Sequence, residues 1–204
     1  MEEKPDFEKD LASIRNLMDR SSKFISLSGL SGVLAGAYAL AAAYYVYKNL
    51  YDGFDFSSNT QVNSLLGFKL ISVGAITLVT SLATGLFLSA RKAKQLGLTI
   101  WNSTSERLIV NLSIPLITGG AFSILMIYHG LFGLVAPICL LFYGLALINA
   151  SQNLFKEVRY LGYCEIILGL LSTYFIGYGL LFWAIGFGAL HVVYGVVMYR
   201  KYDA

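Results

Sequence analysis

Charge is what this chain has least of. Asp, Glu, Lys and Arg make up 13% of its 204 residues, about half the share of an ordinary soluble domain, while hydrophobic residues make up 56%. The mean hydropathy is +0.64. The longest polar stretch is the first 23 residues, which leaves no room for a soluble catalytic domain. Catalytic signatures are missing too. There is no HExxH, no GxSxG elbow, no Walker loop and no pair of intramembrane aspartates. Histidine occurs twice, at His129 and His191, at depths too different to share an iron, so no haem, metal or other cofactor is expected. The two cysteines, Cys139 and Cys164, fall in different spans at different depths, which argues against a disulfide.

What remains is apolar sequence in blocks, with the charges confined to the gaps. Six blocks are long enough to cross a bilayer, at about 24–47, 64–90, 108–128, 131–150 and two within 160–199. The expected fold class is therefore all-α: a polytopic membrane protein of six transmembrane helices, residues 24–204, preceded by a cytoplasmic amphipathic segment, residues 1–23. In that segment Phe7, Leu11, Ile14 and Met18 recur at spacings of 4, 3 and 4 and form one apolar stripe. It reads as a helix lying on the membrane surface, or as a docking helix for a cytoplasmic partner or a second subunit through residues 5–23. It is too acidic at its start for a signal peptide, so the first span is expected to stay in place as a signal anchor.

Every basic residue except Lys48 and Lys69 falls in a segment that the six-span topology puts on one side, with Arg91, Lys92, Lys94 and Arg107 in the second gap and Arg200 and Lys201 in the tail. The positive-inside rule makes that side cytoplasmic and puts both termini there, which suits a bacterial inner membrane. It also accounts for the net charge of +3 without nucleic acid as a partner.

Small residues then locate the helix contacts. Ser28, Gly32 and Gly36 form one ridge, extended by Ala35, Ala39 and Ala42. Gly162, Glu165, Gly169 and Ser172 form a second, and Ala184, Gly188, His191 and Gly195 a third. In lipid such stripes are where helices approach each other, so Glu165 and His191 should face protein. Counted from Arg159 and Arg200, they lie roughly 9 and 13.5 Å into the bilayer, close enough in depth for contact across an antiparallel hairpin. Intramembrane ionisable groups are costly and mark sites by default. A structural hydrogen bond between the last two helices is the plainer reading, and a proton- or ligand-coupled site the sharper one. Tyr194, Asn111 and Lys69 join Glu165 and His191 as the candidate polar set, although Lys69 lies near enough to a span end to snorkel to the headgroups. No residue is assigned a catalytic role. Pro115 and Pro137 should each free a backbone carbonyl within spans three and four.

The stretches SSKFISLSGLSGVLAGAYAL, NLSIPLITGG, YHGLFGLVAPICLLFYGLALINAS, RYLGYCEIILGLL and GYGLLFWAIGFGALHVVYG together resemble a family of uncharacterised six-span membrane proteins from Bacteroidetes-type bacteria. The resemblance implies the topology and the bacterial membrane, and no activity. The function expected from all this is an integral membrane component without enzymatic activity, sensor-like or accessory, with the lipid bilayer and a homo-oligomer or cytoplasmic protein as partners. The alternative is a small proton-coupled transporter or channel.

Overall fold

The computed structural model describes residues 28–51, 64–97, 101 and 103–203, and these are helical wherever they are regular. Helix α1 (Gly29–Val46) continues into a π-turn at Tyr47–Tyr51; α2 is Ser64–Gln95, α3 Ser103–Tyr128, α4 Val135–Ala150 and α5 Lys156–Tyr174. The last helix, α6 (Gly179–Asp203), alternates α and π winding, with π segments at Ala184–Leu190 and Tyr199–Asp203. Among the described residues, five of these six helices, all but α5, are long and apolar enough to cross a membrane. In hydrocarbon, backbone N–H and C=O groups find partners only within a helix or a closed barrel, which is why runs rich in glycine and β-branched residues hold helical form here. The amphipathic stripe of Phe7, Leu11, Ile14 and Met18 and the aspartate-bearing loop before α2 lie outside the described residues.

Chain order and packing order differ. Among the described residues the first helix lies against the last: α1 sits between α2 and α6, α6 also touches α4 and α5, and α4 separates α3 from α5. The α1–α6 seam is made by glycine. A Cβ on Gly29 would run into the Tyr199 backbone, one on Gly36 would come within 2.7 Å of the Gly188 carbonyl oxygen, and one on Gly32 within 3.0 Å of the Gly195 Cα. The α4–α5 pair is an antiparallel hairpin in contact along its length. Gly133 lies against Ile176, Leu141 against Gly169, and Gly144 against Gly162 and Ile166. The two helices are joined by a 3₁₀ turn at Ser151–Asn153.

Several boundaries differ from the sequence pattern. Helix α2 runs through Arg91 to Gln95 and α3 begins at Ser103, so most of the basic gap is helix. Charged residues are good helix formers once outside the hydrocarbon, so polarity alone does not end a helix. Pro115 lies inside α3, but Pro137 is the third residue of α4, behind the 3₁₀ turn Phe132–Leu134. In a first turn the missing N–H has no intrahelical acceptor to lose, so Pro137 begins a helix rather than interrupting one. The hydroxyls of Ser72, Thr77 and Thr80 bond carbonyls of their own helix, three or four residues back, and do not form a polar path.

The neighbouring glycines of α3 allow a paired test. A Cβ on Gly119 would collide with the Phe142 side chain of α4, whereas one on Gly120 meets nothing within 4 Å. Gly119→Ala is expected to lower the melting temperature in detergent, at a cost of about 1–3 kcal/mol. Gly120→Ala should leave it level or raise it, since alanine is the better helix former by roughly 1 kcal/mol. Equal effects of the two would contradict the α3–α4 contact.

Candidate functional site

Midway along the α4–α5–α6 contact three polar side chains meet. Glu165 comes from α5, where Gly162 and Gly169, one turn to either side, keep the helix tight against α4. His191 comes from α6, at the end of the π segment, and Tyr143 from α4. The imidazole is held at both nitrogens. Its Nδ1 lies 2.9 Å from the Gly186 carbonyl oxygen and its Nε2 2.7 Å from the Tyr143 hydroxyl. A carbonyl only accepts, so Nδ1 carries hydrogen and donates to Gly186. In the neutral ring Nε2 is then an acceptor, and the Tyr143 hydroxyl donates to it. Phe187 closes one side of the ring pair, with centroids 5.0 Å from Tyr143 and 6.0 Å from His191, and Trp183 packs behind Phe187.

Glu165 is placed differently. It is fully buried, and its Oε1 is 3.6 Å from His191 Nδ1, beyond hydrogen-bond length. Neither carboxyl oxygen has a hydrogen-bond partner. The Ser172 hydroxyl, two turns along the same face, is buried and unpartnered as well. Leaving a buried polar group unpaired costs about 1–3 kcal/mol, so each such group needs a reason to be there. The carboxyl has room only because residue 186 is glycine: a Cβ there would strike Glu165 Oε2 and approach the Leu140 side chain to 2.5 Å. π winding is uncommon and occurs disproportionately at functional sites, and here it spans Ala184–Leu190, which includes Gly186.

Of the five residues the sequence singles out, the structure brings two together, Glu165 and His191. Tyr194 lies one turn from His191 toward the basic end, packed on the apolar cluster of Leu108, Leu147, Ala150, Leu154, Val158 and Leu161 and against Gly32. The carbonyl of Asn111 accepts from the Asn149 amide at 2.9 Å, tying α3 to α4. Lys69 is exposed on α2. Two site members carry no signal of their own in the sequence. Tyr143 is one of 14 tyrosines, and Gly186 one of 20 glycines. The spacing of five between Gly186 and His191 becomes informative only when the helix is known to be π-wound.

Other polar contacts gather at the basic end. Asp203 accepts from the Gly29 backbone N–H at 2.7 Å and pairs with Lys92, so the last turn of α6 caps the first turn of α1 and ties in α2. Lys201 and the Tyr202 hydroxyl meet Glu157 of α5 at 2.5 and 3.3 Å. Cys139 and Cys164 are free thiols. Among the described residues, no three His, Cys, Asp or Glu side chains come together as a metal set would require. The chain matches no protein-family model, no curated protein and no solved structure.

Proposed function

We propose that this chain is a sensor-like or accessory component of a bacterial inner membrane, without enzymatic activity, whose responsive element is the Glu165–His191–Tyr143 site. One observation carries the reading: a fully buried carboxyl with both oxygens unpaired lies 3.6 Å from an imidazole that is anchored at both nitrogens. The nearest donor, His191 Nδ1, is already engaged with the Gly186 carbonyl, so the carboxyl is left unsatisfied, an arrangement that a proton or a small polar ligand would complete. The ring can relay the event. When Nε2 takes up a proton, Tyr143 must turn from donor to acceptor, which couples α6 to α4.

Helix α5 is the sixth crossing in this reading. Its 19 residues span about 28 Å at 1.5 Å each. Its hairpin contacts with α4, itself within a candidate span, support the same conclusion. The end bearing Lys92, Arg159 and Lys201 is then cytoplasmic, and both termini with it. Residues 5–23 would be the contact for a cytoplasmic partner or a second copy of the chain.

Trp183 reports on the site through Phe187, at 5.2 Å between centroids. In a Trp101→Phe background, its fluorescence in the purified protein should change with pH, and Glu165→Gln should abolish the change while leaving the protein folded. A Glu165→Gln protein that titrates like its parent would remove the carboxyl from the mechanism. A small proton-coupled transporter is the second reading. The π-wound stretch of α6 favours it, because π winding allows a one-residue shift in helical register. Solute-dependent proton flux in proteoliposomes, lost in Glu165→Gln, would select the transporter over the sensor.

A further inference from the structure

At the basic end, where the Ser151–Asn153 turn leads into α5, an open cleft of about 370 Å³ is lined by Ser151, Lys156, Arg159, Tyr160 and Tyr163, among others. We propose that this cleft binds the phosphate headgroup of an anionic membrane lipid. At 100° per residue, Lys156, Arg159, Tyr160 and Tyr163 fall within about 100° of one face of α5. They present two cations and two phenol hydroxyls to the same space. Arg159 is positioned: its Nε donates to the Ser151 hydroxyl at 3.0 Å, using one of the guanidinium's five donors. Glu157, the nearest acid in sequence, is turned to Lys201 and Tyr202 instead. The first turn of a helix adds backbone N–H groups, which favour an anion.

The surface below the cleft identifies the ligand as a lipid rather than a free anion. Continuing along the same face of α5 toward the membrane centre, Ile167 and Leu170 are 56% and 58% exposed. This apolar track faces the bilayer, so a phosphate that carries acyl chains is held at the depth of the cleft, which a soluble phosphate is not. A diacyl lipid would cover the track with its chains while its phosphate sits between Lys156 and Arg159. Tyr160 and Tyr163, at 65% and 46% exposure, would lie at the level of the glycerol backbone, the depth at which interfacial tyrosines sit.

The test uses the full chain purified in neutral detergent, with lipid binding followed by native mass spectrometry. Phosphatidylglycerol is compared with phosphatidylcholine of the same acyl chains, and inorganic phosphate serves as competitor. Two basic residues should favour the anionic lipid by about 30-fold in apparent Kd. Lys156→Gln/Arg159→Gln should abolish that preference, while Arg91→Gln/Lys94→Gln, which removes two exposed charges from the same end, should preserve it. If the Arg159 change unfolds the protein, Lys156→Gln alone should weaken the preference by about fivefold. Equal loss in both double variants would mean diffuse surface charge and overturn the proposal. So would inorganic phosphate displacing phosphatidylglycerol at equimolar concentration, since that would make the cleft an anion pocket indifferent to the lipid.

Discussion

Gly195→Leu is expected to force α1 away from α6 and to abolish a well-defined melting transition in detergent or shift it far down. In the native bundle a Cβ at residue 195 already falls against the Val33 backbone nitrogen and lies 2.8 Å from the Gly29 carbonyl oxygen. Neither obstacle is the tip of a side chain that could swing aside. The only relief is a translation of one helix, which would also loosen the contacts at Gly32 and Gly36. Overpacking in a close-packed interior costs about 1–3 kcal/mol at a single position. The shared seam puts Gly195 at the upper end of that range, and Gly195→Ala should already cost measurably. The control is Gly85→Ala, where a Cβ meets nothing within 4 Å. If Gly195→Leu and Gly85→Ala melt together, α1 and α6 do not pack as described.

The second large effect belongs to Gly186. Gly186→Ala should destabilise the bundle and disturb the site together, because its methyl would occupy the space of the Glu165 carboxyl. Removing the carboxyl should remove its share of the conflict and leave the contact with the Leu140 side chain. Glu165→Ala/Gly186→Ala is therefore expected to be more stable than the sum of the single changes implies, with a coupling of about 0.5–3 kcal/mol, as for residues in direct contact. Glu165→Ala alone leaves a cavity but deletes two unpaired buried oxygens, so its own cost should be small. Strict additivity in melting or chemical denaturation would show that Glu165 and Gly186 do not touch. That result would also take away the reason for glycine at a π-wound position.

How much of this was legible in the sequence follows from what each pattern encodes. A stripe of small residues records one helix's share of a contact, and Gly162, Glu165, Gly169 and Ser172 are all buried along the α5 seam. Likewise Gly188, His191 and Gly195 are buried along α6. A stripe does not record the partner. The glycines of α1 give no hint that they meet Gly188 and Gly195, because nothing local links residues some 160 apart. Lys69 and Asn111 enter the polar set by chemistry alone, yet lipid-span lysines can reach the headgroups and a helical asparagine can act through its backbone. Tyr143 was invisible for the opposite reason: in a chain with 14 tyrosines, one more on an apolar helix carries no distinguishing mark. Helical winding was the other blind spot, since 3.6-residue periodicity cannot anticipate a π segment.

Pairing α1 with α6 has a consequence for how the protein is made. A nascent chain delivers α1 to the bilayer well before α6 leaves the ribosome, and the residue that caps Gly29 is Asp203, 174 positions downstream. Until then the glycine face of α1 has no native occupant. Helix α2 can settle against α1 early, but on a different flank, which leaves Gly29, Gly32 and Gly36 facing lipid or a holding factor. Assembly of the bundle is thus a closing event, governed by the arrival of Gly179–Asp203 rather than by stepwise addition of hairpins. In nascent chains arrested before Gly179, a photo-crosslinker on the glycine face of α1 should accordingly react with lipid or a holding factor, and release of α6 should replace that product with a crosslink to α6.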